Sequence, residues 1–229
     1  MSLVRHIPNL LTTGNLLCGC LGLLSVFGNY PVEPAYFIWA ACVFDFFDGF
    51  AARWLNVSSS IGKELDSLAD MVSFGVLPAI AMYHWMDTSA EVSWIAYIAL
   101  MIAVFSALRL AKFNVDTRQT DSFIGVPTPA NALFLTSLVF LPESIRSLVF
   151  TTPWLTAITI VFSLLLVAPF ELFALKFKDF SWAHNQVRFT FLALAVLLLI
   201  LVKDGALPMI ILSYIIISLG SRILAGKKK

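Results

Sequence analysis

Apolar residues run along this chain in unbroken stretches of roughly 16 to 22, long enough as helices to cross a hydrocarbon core about 30 Å thick. The stretches show no alternation of polar and apolar positions, so they predict helices and not the strands of a barrel. We place spans near 9–27, 34–55, 63–85, 92–113, 128–141, 153–175, 187–202 and 206–224, the fifth extending towards Val149. Pro8, Pro34, Pro153 and Pro208 fall near the starts of four of them, where a missing backbone N–H leaves no helical bond unmade. The expected fold is an all-α integral membrane protein of about eight helices in one polytopic domain. Arg5 and His6 precede the first run, but no small-residue cleavage site interrupts it, so it is expected to remain as a helix.

Composition agrees with the pattern. Of 229 residues, 59% are hydrophobic and 13% charged, against about 25% charged in a typical soluble domain. That excludes a soluble globular enzyme, a disordered chain and a disulfide scaffold. A net charge of +1 lacks the basic excess of a nucleic-acid binder, so no nucleic-acid partner is expected. Cys18, Cys20 and Cys42 lie inside apolar runs without metal-type spacing. The basic residues are unevenly placed. With the N-terminus in the cytoplasm, thirteen of the fifteen Lys and Arg fall in inward-facing segments, from Arg5 through Arg53, Lys63, Arg109, Lys112, Arg118, Lys176, Lys178 and Arg188 to Arg222 and Lys227–Lys229. Only Arg146 and Lys203 face outward. The positive-inside rule therefore predicts both termini in the cytoplasm of a cell bounded by this membrane.

The second and third spans break the rule that membrane helices avoid charge. Asp45 and Asp48 are three residues apart, Asp66 and Asp70 four, so each pair shares a helix face. A short connection near Asn56 to Ile61 allows the two helices to pack as an antiparallel pair, with both acidic pairs towards its cytoplasmic end. A carboxylate at a helix centre costs about 2.5–3.5 kcal/mol on insertion scales, so four together need compensation. Salt bridges to Arg53, Lys63 and Arg109 would be one form of it, and an ion or proton pathway another. Oxygen ligands without His or Cys suit Mg²⁺ or Mn²⁺, and two such ions would balance four negative charges as in a two-metal phosphoryl-transfer site. Gly49, Ala52 and Gly62 keep the same region low, and Arg53 adds a cation, an arrangement that fits a nucleoside diphosphate.

These residues resemble the signature of the CDP-alcohol phosphotransferase family, Asp-x₂-Asp-Gly-x₂-Ala-Arg-x₈-Gly-x₃-Asp-x₃-Asp. Asp45, Asp48, Gly49, Ala52, Arg53, Gly62, Asp66 and Asp70 fill it without a departure. The resemblance implies six core membrane helices, here residues 1–175, with two more in 187–224, a homodimer, and a site open to the cytoplasm. It implies that Asp45, Asp48 and Asp66 bind metal, that Asp70 joins the metal site and acts as general base, and that Gly49, Ala52, Arg53 and Gly62 accommodate the CDP moiety.

The runs 66–76, 109–114 and 123–130 look like the phosphatidylserine synthase branch. So does the opening Pro8-Asn9-Leu10-Leu11-Thr12, with Asn15 where many other branches carry an arginine. That branch implies CDP-diacylglycerol and L-serine as substrates and CMP as product, in the cytoplasmic membrane, with Asn9 and Thr12 beside the substrate. Arg109 and Lys112, one turn apart, could hold the serine carboxylate or the lipid diphosphate. Asn114, Thr128 and Asn131 offer neutral hydrogen-bond partners. A sibling enzyme using glycerol 3-phosphate or an inositol phosphate, an archaeal ether-lipid donor, and a divalent-cation transporter remain the alternatives.

Overall fold

Prolines and one serine set where the helices begin. In a computed structural model that describes residues 6–28, 31–57, 59–89, 93–116, 122–173, 179 and 181–226, α1 (Ile7–Val26), α2 (Pro34–Trp54) and α8 (Thr152–Val167) each carry a proline in their first two positions. The basic residues Arg5, Arg118, Lys176, Lys178 and Lys227–Lys229, on which the orientation rests, lie outside the described residues.

The α2–α3 connection is short because both helix ends are capped locally. At the end of α2, Asn56 adopts φ 51°, and the N–H groups of Asn56 and Val57 donate to the carbonyls of Arg53 and Ala52 at 3.3 and 3.0 Å. This is a Schellman closure, with asparagine tolerating the left-handed position. α3 (Ser60–Asp70) then starts on Ser59, whose hydroxyl accepts the Gly62 N–H at 2.9 Å. The two helices that carry the aspartates are thereby tied end to end.

α3 continues without a break into a π-helical segment, Met71–Val76, and then α4 (Leu77–Ser89). Together residues 60–88 are long and apolar enough to make one span, of which 63–85 is the expected part. The π turn lies against α1 at Gly19, where an added Cβ would fall 2.9 Å from Ser73 Cα. A 3₁₀ segment, Ser93–Ala99, leads into α5 (Leu100–Val115). α5 runs beside α3 and the π segment in the opposite direction. Asn114 Nδ2 donates to Ser67 Oγ at 2.8 Å, and Ser106 Cβ sits 3.1 Å from where a Cβ on Gly75 would be. Arg109, between these two contacts, comes level with Asp70 and the start of the π turn.

Two spans depart from expectation. The fifth is α6 (Thr128–Thr136) with a 3₁₀ turn to Phe140, and then α7 (Glu143–Val149) turns away by 118°. The bend falls at extended Leu141 ahead of Pro142, a residue disfavoured in the helical region and followed by one that cannot donate. The sixth, expected to reach residue 175, ends at Val167 for the same reason: Ala168 is extended before Pro169. Beyond it, β2 (Glu171–Phe173) pairs antiparallel with β1 (Ser122–Ile124), a short ribbon that hydropathy does not announce.

α9 (Trp182–Val202), kinked at Asn185, and α10 (Ala206–Gly226) complete the chain. Five described helices are long and apolar enough to cross a membrane, six if the bent pair counts as one, and Thr152–Val167 and Ala206–Ser221 add two shorter apolar helices. The protein is an all-α, multi-pass membrane protein. One apolar cluster joins α1, α2 and α4 around Ile38, Phe74 and Leu77. A second joins α4, α5, α6, α8 and α10 around Met82, Leu135, Leu155 and Ile211. The acidic residues lie along the first.

Candidate active site

Asp45 and Asp48 of α2 and Asp66 of α3 come together, each offering a carboxylate oxygen within 4.8 Å of the other two. The capped α2–α3 turn explains the meeting: Asp48 and Asp66 stand near it, and Asp45 and Asp70 lie one turn further along their helices. α1 fixes the outer members. Thr12, buried, donates its hydroxyl to Asp48 Oδ2 at 2.6 Å. Asn15, fully buried, donates Nδ2 to Asp70 Oδ1 at 2.9 Å, and its own carbonyl accepts from Ser73 Oγ at 2.8 Å. The Ser73 contact lies where Gly19 permits close approach, since an added Cβ there would fall 2.5 Å from Ser73 Oγ.

Beside the carboxylates a cleft of about 770 Å³ opens between α1, α2 and α3. Asp48 and Asp66 form part of its wall, and Asn9, Thr12, Gly49, Ala52 and Gly62 line it as expected from the sequence. Gly62 keeps it open, since a Cβ there would stand 3.0 Å from both Asn9 Oδ1 and Ser59 Oγ. Thr12 has a further part that the sequence did not announce: its hydroxyl donates to Asp48.

The cations are distributed in a way the sequence did not predict. Arg53 folds back along α2, with Nη1 3.4 Å from the Cβ position of Gly49. Lys63 lines the cleft and donates Nζ to the Asn114 carbonyl at 3.0 Å, and among the described residues it forms no salt bridge with an aspartate. Arg109 is buried, 7% exposed, and donates Nη1 to Thr128 Oγ1 at 2.9 Å, with its guanidinium 5.8 Å from the Phe113 ring centre. Lys112 is exposed where Arg109 is buried, which separates the two despite their spacing, and neither lines the cleft. Asn114 is likewise spent on Ser67.

The donor set fits a divalent cation. Hard ions hold oxygen ligands at about 2.0–2.6 Å, so two ligands of one ion are at most roughly 4–5 Å apart. The trio of oxygens meets that limit before any rearrangement. Asp70 stands outside the trio. Sequence reasoning named Thr12 and Asn15 but missed the bonds by which they hold Asp48 and Asp70, because contacts 36 and 55 residues apart depend on packing. It named Asn131 only as a neutral hydrogen-bond partner and left Ser106 without a role. Among the described residues, both side-chain polar atoms of Asn131, Arg109 Nε, Ser106 Oγ and Asn15 Oδ1 are buried without a hydrogen-bond partner.

The chain is similar to known proteins of one kind. Three proteins named CDP-diacylglycerol–serine O-phosphatidyltransferase are similar to the chain. That of Bacillus subtilis is 37% identical over 141 residues, 60% of this chain and 77% of the relative. That of Helicobacter pylori strain J99 is 36% identical over 136 residues, 58% and 57% of the two. That of Methanocaldococcus jannaschii is 34% identical over 129 residues, 56% and 58%. The match thus spans little more than half the length of the latter two. The model of CDP-alcohol phosphatidyltransferases matches residues 5–165, which include every aspartate of the site and the whole wall of the cleft; the chain belongs to the CDP-alcohol phosphatidyltransferase family.

Proposed function

We propose that this enzyme transfers the phosphatidyl group of CDP-diacylglycerol to the hydroxyl of L-serine, with release of CMP, as a step of phospholipid biosynthesis. The observation that carries the reading is the trio of Asp45, Asp48 and Asp66, of which the last two line a cleft kept open by Gly49, Ala52 and Gly62. The names of the similar proteins support serine as the acceptor.

The cytidine diphosphate lies in the cleft, near Asn9 and Gly62, with Arg53 at its α2 side and the acyl chains remaining in the bilayer. Two divalent cations, Mg²⁺ or Mn²⁺, held by Asp45, Asp48 and Asp66 with Asp70 alongside, supply charge neutralisation for the diphosphate and the departing CMP. The serine hydroxyl oxygen bonds to the phosphorus that carries diacylglycerol, and the bond from that phosphorus to the bridging oxygen breaks, so CMP leaves with the bridging oxygen. Asp70 takes the hydroxyl proton. Asn15 holds one oxygen of Asp70 and leaves proton transfer to the other. A carboxylate is a weak base for an alcohol, so placing the hydroxyl in line with the phosphorus carries much of the rate enhancement.

Arg109 receives the serine carboxylate. It is level with Asp70, and the unpaired polar atoms of Ser106 and Asn131, one turn along α5 and α6 from Arg109 and Thr128, give a polar acceptor further partners. Lys112, exposed, serves the anionic membrane surface. Residues 1–175 form the catalytic core in this reading. The enzyme sits as a homodimer in the cytoplasmic membrane, with site and termini facing the cytoplasm, a placement supported by the charge distribution along the chain.

The test is CMP release by purified protein in detergent with CDP-diacylglycerol and Mg²⁺ or Mn²⁺, with serine, glycerol 3-phosphate and inositol phosphate supplied separately. Release that needs serine supports the reading. Release with another acceptor keeps the site chemistry and removes the assignment to serine, and metal flux without CMP release would point to a transporter.

A further inference from the structure

Tyr214 of α10 is far from the aspartates in sequence, yet a continuous set of bonds leads from it to Arg109. Its hydroxyl donates to the Phe173 carbonyl in β2 at 2.7 Å. Phe173 faces Ser122 across the ribbon, so β2 in turn holds β1. The chain leaving β1 is fixed twice more, by the Gly125 N–H on the Phe170 carbonyl at 2.8 Å and the Val126 N–H on the Leu165 carbonyl at 2.9 Å. Gly125 has φ +71°, and a Cβ there would fall 2.4 Å from the Leu166 carbonyl oxygen, so this crossing admits no side chain. Pro127 and Thr128 follow at once and open α6, and Thr128 Oγ1 accepts the Arg109 guanidinium. Helix packing by itself does not demand the tyrosine hydroxyl, since the Tyr214 ring already lies against Phe173 and Phe191, with centroids 5.0 and 5.6 Å away.

We propose that Tyr214 is a positioning residue for the acceptor: by anchoring β2 it fixes the β1–α6 junction and, through Thr128, holds the guanidinium of Arg109 level with Asp70. The proposal rests on Arg109 as the acceptor's anchor and gives the C-terminal hairpin a part in acceptor binding.

Tyr214→Phe deletes the hydroxyl and keeps the ring, so the fold is retained. With serine, or whichever alcohol supports CMP release, the acceptor KM rises roughly three- to ten-fold, the loss of one hydrogen bond. The KM for CDP-diacylglycerol and kcat at saturating acceptor stay within about two-fold. Amide exchange at residues 122–131 becomes faster, and combination with Thr128→Val adds little to the larger single effect, because the two act along one path. An unchanged acceptor KM overturns the proposal, as does an equal loss for both substrates accompanied by a lower melting temperature. Arg109→Lys separates this claim from the one beneath it. A raised acceptor KM in Arg109→Lys but none in Tyr214→Phe removes the positioning role alone, whereas no change in either removes both.

Discussion

Replacing Thr12 by valine keeps the outline of the side chain and deletes one hydrogen bond to a carboxylate. The hydroxyl lies 2.6 Å from Asp48 Oδ2 and 3.0 Å from the Pro8 carbonyl, so the shorter, charge-assisted contact is its main commitment. Both residues are largely buried, Thr12 at 3% and Asp48 at 5% exposure, so valine leaves Asp48 Oδ2 without its protein donor. A bond to a charged group contributes about 1.5–3 kcal/mol, and outer partners of metal ligands typically change affinity by roughly 10- to 100-fold when removed. Thr12→Val is therefore expected to weaken Mn²⁺ binding by about 10- to 100-fold in calorimetric titration of the detergent-purified protein. CMP release should then need correspondingly more metal, while the KM for CDP-diacylglycerol at saturating metal stays near that of the unaltered protein. Thr12→Ser, which restores the donor, should recover most of the affinity. A Mn²⁺ Kd within two-fold in Thr12→Val would refute the claim that Thr12 orients a metal ligand.

Other substitutions probe separate parts of the site. Asp70→Asn should abolish turnover while CDP-diacylglycerol still binds; turnover like that of the unaltered enzyme would end its role as base. Gly62→Leu should weaken CDP-diacylglycerol binding by at least about ten-fold, an effect of over 1.4 kcal/mol, because its side chain must enter the cleft beside Asn9; unchanged affinity would leave Gly62 a packing role. Arg109→Ala should raise the serine KM, because the guanidinium that Thr128 holds is removed; equal kinetics for serine would return Arg109 to a structural part. Gly125→Ala should lower the melting temperature, since it must move the end of α8; an unshifted midpoint would contradict the close approach described.

Much of the site was legible because its chemistry is local. Asp45, Asp48, Asp66 and Asp70 follow helical spacing, and the turn between their helices is too short to let them part. The glycines were legible for the same reason, as gaps on the same faces. Hydropathy also located the apolar helices, but it is blind to backbone direction. The apolar run 128–149 continues across Leu141 and Pro142 while the helix turns by 118°, and the run beyond Val167 hides a strand. Pro142 and Pro169 marked both breaks and carried more information than the hydropathy around them. Arg109 is buried and Lys112 exposed, a difference the sequence did not show, because i,i+3 spacing on one helix does not say which of two residues a third helix will cover. The bonds made by Thr12, Asn15 and Tyr214 depend on long-range packing and became visible only with the fold.

The central claim is most directly tested by following the serine oxygen. Purified enzyme is given CDP-diacylglycerol, divalent metal and serine labelled with ¹⁸O in its hydroxyl, and the lipid and CMP are analysed by mass spectrometry. The account predicts one labelled phosphatidylserine for each CMP, with the CMP unlabelled, because the serine hydroxyl attacks phosphorus and the bridging oxygen departs. CMP release with no labelled lipid, or with label in the CMP, would contradict it.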